Sequence, residues 1–243
     1  MISSTTSTRP VHPPDIVSMS GVSFAWPGAQ NFRITIEEFA LAAQSRSLMI
    51  GPSGSGKSTL LSLLCGVVQP DRGQIDILGT DITRLSSAAR DQFRAEHFGV
   101  IFQMFNLLPY GSVVDNVVLP LSFAAQRRQR AMKNGSVERE ALRLLAALGI
   151  DDTLLAGSTA ALSVGQQQRV AAARALIGAP EVIVADEPTS ALDKARQERF
   201  LDLLFAQVEE AGSTLIMVSH DESLAPRFDQ VLDLADLVSI AGE

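Results

Sequence analysis

A glycine-rich turn between an apolar strand and a helix is the feature that most restricts what this sequence can fold into. Ser47 to Ile50 predicts the strand, and Lys57 to Leu64 predicts the helix. Glycines allow the connecting backbone to curl so that its N–H groups point inward, and the helix N-terminus adds positive potential. Such a turn is suited to holding phosphate groups. Its sequence is Gly51-Pro52-Ser53-Gly54-Ser55-Gly56-Lys57-Ser58, in which four residues separate the first glycine from Gly-Lys-Ser.

Two side chains of this turn predict its chemistry. Lys57 is suited to neutralise the β and γ phosphates of a nucleotide, and the Ser58 hydroxyl is suited to coordinate Mg²⁺. The pattern therefore predicts a P-loop nucleotide site with a metal ion. The residues expected to contact the nucleotide here are Gly51, Pro52, Ser53, Gly54, Ser55, Gly56, Lys57, Ser58 and Thr59.

A second apolar strand supplies the acids that such a site needs. Val182 to Ala185 is followed at once by Asp186 and Glu187. A carboxylate at the end of a strand beside the phosphate loop can hold the metal and its water shell. We therefore predict that Asp186 serves the metal and that Glu187 polarises the water that attacks the γ-phosphate.

Strand and helix patterns along the rest of the chain predict an α/β fold. Their alternation favours a mostly parallel core sheet with helices on both faces. Val17 to Phe24 and Phe32 to Ile36 flank a Trp-Pro-Gly turn and predict an N-terminal antiparallel β subdomain. The region from about Ser112 to Ala179 is predicted to be helical throughout. The other predicted strands are Gln74 to Leu78, Val100 to Phe102 and Leu215 to Val218.

Composition excludes several classes of function. The chain has 20 Lys and Arg against 27 Asp and Glu, a net charge of −7, which argues against a protein that mainly grips nucleic acid. No run approaches the ~20 apolar residues of a membrane helix, so the chain is not expected to span a bilayer by itself. Met1 to Pro14 lacks the pattern of a secretory signal and is predicted to be a disordered tail. Cys65 is the only cysteine, which predicts a reducing compartment.

The stretch from Gln126 to Asn134 is basic and polar. We expect it to be a solvated linker or the end of a helix. A role against acidic lipid headgroups is a second interpretation of the same residues, including Arg127 to Lys133.

The branch of P-loop proteins is indicated by Leu162-Ser163-Val164-Gly165-Gln166-Gln167-Gln168-Arg169, which lies shortly before the acidic strand. This run resembles the signature motif of ATP-binding cassette (ABC) proteins, whose common form is Leu-Ser-Gly-Gly-Gln. Val164 stands in place of the first glycine. Ser163 and Gly165 are retained, and the resemblance implies that they approach the γ-phosphate by a hydroxyl and a backbone N–H, with Gln166 beside them.

The other motifs of that family appear in their usual order. Gln103, at the end of an apolar strand, matches the Q-loop glutamine, which implies a sensor of the γ-phosphate and the metal. Asp193 ends Ser190-Ala191-Leu192-Asp193, which is similar to the D-loop at the family's dimer interface. His220 matches the switch histidine that holds the catalytic glutamate and the γ-phosphate together. Trp26 lies where the family has an aromatic that stacks on adenine, although packing at a strand edge would also explain it.

The resemblance covers about Val17 to Ser239 and implies an ATPase that uses ATP and Mg²⁺. Residues 15–243 are expected to form a single ABC ATP-binding domain, with a helical subdomain at about residues 104–179. One chain would supply half of each ATP site, so two chains are expected to close head to tail as a homodimer. Hydrolysis is assigned by the resemblance to Glu187, His220 and Gln103.

The run Phe102-Gln103-Met104-Phe105-Asn106-Leu107-Leu108-Pro109 and the later Asp115-Asn116-Val117 are the part most typical of a subfamily. They resemble the cassettes of lipoprotein release, macrolide and peptide export, and cell division. The resemblance implies a separate membrane permease that docks near Gln103 to Gly111, and a cytoplasmic location on the inner face of the cell membrane. The apolar residues there are expected to form either that docking surface or ordinary subdomain core: Phe105, Leu107, Leu108 and Tyr110.

Two other classes of ABC protein are alternatives to the energising subunit of a membrane transporter. Those that act on nucleic acid or ribosomes typically carry a long insertion or two cassettes, whereas Thr59 to Ala161 has only the length of a helical subdomain. No nucleic acid partner is therefore expected. A non-transport ATPase that regulates cell-wall remodelling or division through a transmembrane partner shares the same subfamily pattern and stays the main alternative.

Overall fold

The computed structural model describes residues 15–28, 32–52, 54–133 and 135–241, which form two five-stranded sheets with helices around them. The predicted tail, Met1 to Pro14, and Ser53 lie outside the described residues. The strands are β1 (Asp15–Ala25), β2 (Arg33–Ala42), β3 (Arg46–Ile50), β4 (Arg72–Ile77), β5 (Thr80–Asp81), β6 (Phe98–Ile101), β7 (Val182–Asp186), β8 (Thr214–Ser219), β9 (Gln230–Asp233) and β10 (Ser239–Ala241). The helices are α1 (Lys57–Leu64), α2 (Ser87–His97), α3 (Val113–Val118), α4 (Ala125–Ala131), α5 (Val137–Ala147), α6 (Val164–Leu176), α7 (Lys194–Ala211) and α8 (Leu234–Leu237). In the part of the chain that the structure covers, none of these helices is both long and apolar enough to cross a membrane.

The core sheet has the strand order β6-β7-β8-β3-β9, and every pair of neighbours in it is parallel. Alternate residues of β8 face opposite sides, as the two-residue period of a strand requires. Leu215 and Met217 pack into a core shared with α3, α5, α6 and α7, whereas Ile216 and Val218 pack into a core shared with α1 and the second sheet. The predicted parallel core sheet with helices on both faces is confirmed.

The second sheet has the order β10-β2-β1-β4-β5 and is antiparallel. In it β1 and β2 pair along most of their length, with Val22 opposite Ile36. These inward residues are fully buried. The predicted N-terminal antiparallel subdomain is therefore confirmed, and it covers one face of the core sheet.

The chain from Val113 to Leu176, called the helical segment below, contains four α-helices rather than the predicted unbroken helical stretch. Serine side chains start new helices, because Ser112, Ser136 and Ser163 each accept a hydrogen bond from the backbone of the first turn that follows. Pro120 lies in a short 3₁₀ turn that separates α3 from α4. The expectation of helix throughout was wrong at these boundaries.

The basic stretch contains the C-terminal end of α4, as one of the two expectations had it, but Arg127 within it is neither solvated nor available to lipid. Arg127 is only 2% exposed. Its guanidinium donates to the carbonyl oxygens of Ala95, Phe98, Ala175 and Ile177, at 2.7 to 3.2 Å. The backbone N–H of Arg127 donates to the buried Glu96 carboxylate at 3.1 Å. Arg127 therefore anchors α4 to the ends of α2 and α6.

The residues after β6 leave the sheet as an irregular run, Met104 to Gly111, called the 104–111 segment below. Phe105 is buried in the core of the helical segment and Leu107 is half-buried against it. Met104 and Tyr110 are 81% and 85% exposed. Phe105 and Leu107 therefore belong to the core of the helical segment, whereas Tyr110 lies on the surface.

Candidate nucleotide site

The phosphate loop connects β3 to α1 and has a conformation that glycine makes possible. Gly54 and Gly56 have φ angles of 87° and 86°, in the left-handed region that glycine adopts without steric cost. A Cβ atom at Gly51 would lie 2.6 Å from the Ser55 hydroxyl oxygen. Lys57, the first residue of α1, is buried and donates from Nζ to the carbonyl oxygens of Gly51 and Pro52 at 2.7 and 2.8 Å. The ammonium group therefore lies at the centre of the loop.

Ser58 and Asp186 meet at the edge of the loop. The Ser58 hydroxyl donates to Asp186 Oδ2 at 3.5 Å, across from the end of β7. Burial and the neighbouring charge of Glu187 raise the pKa of Asp186, and the Ser58 hydrogen bond and Lys57 only partly oppose that rise. The carboxylate is thus short of positive charge, which a bound cation would supply.

Glu187 follows Asp186 in a backbone conformation that is unusual for this residue type. Its φ is 44°, and its N–H donates to the Val218 carbonyl oxygen of β8 at 3.0 Å. A left-handed residue other than glycine costs about 1–3 kcal/mol and persists where its surroundings fix it. Glu187 Oε2 is 2.8 Å from His220 Nδ1, and Oε1 is 3.9 Å from Lys57 Nζ. The carboxylate lies between His220 and the lysine of the phosphate loop.

Trp26 lies at the mouth of the site and is oriented from two sides. Its ring stands edge-on to Phe24, with centroids 5.1 Å apart, and its Nε1 donates to Thr59 Oγ1 at 3.1 Å. The indole is 41% exposed, so one part of it is free to contact a ligand. Thr59 was expected to contact the nucleotide itself; the structure adds an orienting role that the sequence pattern did not indicate.

These residues surround one pocket of about 510 Å³. It brings together residues far apart in the sequence, including Trp26, Lys57, Gln103, Glu187 and His220. The rest of its lining comprises Phe32, Gly54, Gly56, Ser58, Thr59 and Asp186. Glycines, a lysine, a hydroxyl, two acids and an aromatic ring are the groups that a nucleoside triphosphate and its metal ion require.

Seven other predicted site residues of the described part of the chain do not line this pocket. Three of them, Gly51, Pro52 and Ser55, belong to the phosphate loop itself, and the other four lie elsewhere: Ser163, Gly165, Gln166 and Asp193. Ser163 and Gln166 form a capping box at the start of α6, in which the Ser163 N–H donates to Gln166 Oε1 at 2.8 Å. Asp193 caps α7 by accepting from the Arg196 N–H at 3.0 Å. The structure therefore shows local roles for these side chains, at places on the surface apart from the pocket.

One contact near the site was not found from the sequence. Gln168, on the first half of α6, is almost fully buried and donates from Nε2 to the Pro188 carbonyl oxygen at 2.6 Å. Pro188 follows Glu187 directly. A buried glutamine in a polar helix gives no signal of a partner 20 residues away, so pattern reasoning could not have identified it.

The parallel sheet, the phosphate loop and the paired acids define a P-loop nucleotide-binding cassette. A family model described as ABC transporter matches residues 36–190. The chain belongs to the ABC transporter family and is an ABC ATPase.

Relatives support this assignment at the level of the subfamily. The chain is 42% identical over 188 residues to the uncharacterised ABC transporter ATP-binding protein YbbA of Escherichia coli K12, covering 77% of this chain and 79% of that protein. It is 39% identical over 203 residues to the lipoprotein-releasing system ATP-binding protein LolD 1 of Caulobacter vibrioides, covering 84% and 82%. The resemblance to the lipoprotein-release cassettes is confirmed.

A solved structure supports the fold and its use of nucleotide. The dimeric ATP-binding cassette MJ0796, in a post-hydrolysis state bound to ADP and Pi, matches with a TM-score of 0.76 and 32% identity. The match covers 89% of this chain and 93% of that one.

Proposed function

We propose that this chain is the ATP-hydrolysing subunit of a membrane export or mechanotransmission complex, and that ATP closes two copies of it head to tail. One observation carries the proposal: the pocket contains the phosphate loop and the acids but not the signature residues. Ser163 is exposed at the N-terminus of α6, and Gly165 follows within the same turn. A second copy would bring these residues to the pocket and complete the ATP site.

Gly165 supports this arrangement. A Cβ built at Gly165 meets nothing closer than Leu192 Cδ2, at 3.9 Å. The fold of a single chain therefore does not require glycine at this position. Close approach of a partner's phosphate groups to the backbone N–H would require it.

Hydrolysis is proposed to rest on Glu187. Its carboxylate orients a water and accepts a proton as the water oxygen bonds to the γ-phosphorus, and the bridging oxygen leaves with ADP. Lys57 neutralises charge on the β and γ phosphates. His220, at 2.8 Å from Glu187, holds the carboxylate in its orientation.

The residues present fit Mg²⁺. This ion keeps several waters and binds proteins through one or two carboxylates together with substrate phosphates. Asp186, whose pKa is raised by burial and by Glu187, needs a positive charge beside it, and Ser58 supplies a hydroxyl at 3.5 Å. Ser58, Asp186 and Gln103 would hold the ion, which supplies charge neutralisation to the phosphate oxygens.

The membrane subunit is proposed to dock beside Gln103 to Gly111. A groove of about 860 Å³ with a mostly apolar lining lies between α1, α2 and the helical segment, and it is lined by Phe102, the residue before Gln103. Phe102 and Phe123 are exposed in this groove, and Met104 and Tyr110 are exposed residues of the 104–111 segment that follows in the sequence. Ser58 and Asp186 line both the groove and the nucleotide pocket. An amphipathic helix of the membrane subunit would fit the groove, and the cassette would then lie at the cytoplasmic face of the membrane.

The half-site arrangement is tested by Gly165→Asp. The variant should fold and bind ATP in its own pocket, because the substituted position is open. It should weaken the ATP-driven dimer by about tenfold or more, which corresponds to about 1.4 kcal/mol. Sedimentation velocity with ATP measures the dimer, and quenching of Trp26 emission measures nucleotide binding.

Ala146→Asp is the matched control, since Ala146 is an exposed residue of α5 in the same helical segment. It should leave the dimer unchanged. An undiminished ATP-driven dimer in Gly165→Asp would overturn the head-to-tail proposal.

A further inference from the structure

The 104–111 segment is attached at its C-terminal end to the helical segment by side-chain contacts. Asn116 Oδ1 accepts from the Leu108 N–H at 2.7 Å, and Asn116 Nδ2 donates to the Leu108 carbonyl oxygen at 3.0 Å. Thr159 Oγ1 donates to the same carbonyl oxygen at 2.8 Å, and Ser158 Oγ donates to that of Pro109. These contacts reach α3 and the loop that precedes α6.

At the other end of the 104–111 segment, Phe105 packs into the core that includes α6, and among the described residues one side chain of α6 donates hydrogen bonds to the backbone there. Arg174 donates from one terminal nitrogen to the Asn106 carbonyl oxygen at 2.6 Å and from the other to the Phe105 carbonyl oxygen. The arginine is 8% exposed. Its burial lowers its pKa, and no carboxylate of the described residues opposes that effect. The two backbone carbonyls are therefore its main partners.

The backbone that Arg174 holds is strained. Phe105 and Asn106 have φ angles of 58° and 49°, so two consecutive residues other than glycine are left-handed. This conformation is rare for a bulky side chain such as phenylalanine. The turn directs both carbonyl oxygens to the guanidinium and lies only two and three residues after Gln103, which lines the nucleotide pocket.

Arg174 thus connects two parts of the molecule that the proposed function uses. It lies on the last turn of α6, and the signature residues lie at the other end of this helix, Ser163 as its N-cap and Gly165 in its first turn. A 13-residue helix transmits displacement along its axis because its backbone hydrogen bonds are continuous. Movement of the signature end on dimer closure would therefore move the carbonyls of Phe105 and Asn106.

We infer that Arg174 is a positioning residue that makes the 104–111 segment follow the signature helix when ATP closes the dimer. The inference rests on the proposed function. It identifies which side chain links the ATP-dependent step to the surface where the membrane subunit is proposed to dock.

The chain permits a direct spectroscopic test. Cys65 is buried and its pKa is raised to about 12, so it resists labelling under native conditions. Met104 is 81% exposed and adjoins Phe105, so Met104→Cys introduces an accessible thiol for an environment-sensitive fluorophore at the end of the 104–111 segment that Arg174 contacts. In the Glu187→Gln background, ATP should change the emission of this label as the dimer closes.

Arg174→Met removes the donors and keeps the length of the side chain. The ATP-dependent change at the label should fall about fivefold, the lower range of typical coupling between sites. Affinity for ATP, measured by Trp26 quenching, should be retained. Arg169→Met is the matched control, because Arg169 lies on the same helix and donates instead to the Gly149 carbonyl oxygen at 3.1 Å; it should keep the full change.

Arg174→Lys keeps the charge and some of the hydrogen bonding, and should restore part of the signal if Arg174→Met folds poorly. An undiminished change in Arg174→Met, or equal losses in Arg174→Met and Arg169→Met, would overturn the inference. If ATP changes neither the label nor the dimer state of the chain that retains Arg174, the proposed function fails instead.

Discussion

The phosphate loop and the helical segment are fixed by different kinds of contact. Left-handed glycines and the start of α1 shape the loop, and its lysine donates to carbonyls five and six residues away. The helical segment depends on buried polar side chains, since Arg127 and Arg174 reach carbonyls 29 to 69 residues away. A side chain of the nucleotide pocket should therefore be removable with little loss of stability. A buried arginine of the helical segment should not.

Glu187→Gln should have the largest effect on activity. Loss of a general base lowers turnover by about 10²–10⁴-fold, while ATP binding and the unfolding temperature should be retained. Phosphate release and thermal unfolding measure the two properties. Glu198→Gln, at an exposed position of α7, is the control and should behave like the parent chain. Ordinary turnover in Glu187→Gln would remove Glu187 from its proposed role.

Arg127→Met should have the opposite effects: it should lower stability and should leave the turnover of the folded protein largely unchanged. It leaves the carbonyl oxygens of Ala95, Phe98, Ala175 and Ile177 without this donor, and buried unsatisfied groups cost about 1–3 kcal/mol each. Relief from burying a charge offsets part of this, so we expect a loss of about 3 kcal/mol in the free energy of unfolding. Chemical denaturation measures it.

Arg128→Met provides the control for Arg127→Met, because Arg128 is the next residue on α4 and is exposed. It should change stability by no more than about 0.5 kcal/mol. Equal stability of the two variants would contradict the distinction between the two regions.

Trp26→Ala should weaken ATP binding with little change in maximal rate. Stacking of a base on an aromatic ring contributes about 1–3 kcal/mol, so we expect an affinity loss of about tenfold. Trp26→Phe keeps an aromatic ring but loses the hydrogen bond to Thr59. Its affinity for ATP should lie between those of Trp26→Ala and the parent chain. Calorimetric titration measures the affinity. If ATP fails to quench Trp26 emission in the parent chain, the stacking role is excluded.

Val164→Gly should have the smallest effect. Val164 is the half-exposed first residue of α6 and belongs to the helical segment in sequence, but it faces the surface where the second copy is proposed to bind. Glycine costs at most about 1 kcal/mol in a helix, so turnover should be similar or higher. A collapse of activity would show that the surrounding packing requires valine.

The sequence was most informative where structure is local. The phosphate loop, the strand that ends in Asp186 and the helix that begins at Lys57 were predicted at or near their observed bounds. Neighbouring residues alone determine the left-handed glycines and the start of the helix. The strand patterns also predicted most of both sheets, through the partial alternation of β1 and β2 and the short apolar runs of β7 and β8, which are buried on both faces. They gave no prediction for β5, β9 or β10.

Contacts between residues far apart in the sequence could not be predicted from local patterns. Arg127 and the exposed Arg128 are identical residues in one basic stretch, and only the fold brings carbonyls to the first of them. Phe105 and Tyr110 are both aromatic, yet one is buried and the other is 85% exposed. The Arg174 contact depends on a left-handed turn that no local pattern in Phe105-Asn106 indicates.

The strand order of the core sheet also has a consequence for biosynthesis. β3, which leads into the phosphate loop, lies between β8 and β9, both of which are synthesised long after it. A nascent chain that already displays Gly51 to Ser58 therefore has two unpaired edges on β3 until those strands leave the ribosome. Pairings so distant in sequence form slowly. The loop that is encoded early is therefore expected to become competent to bind nucleotide only after these later strands have paired with β3.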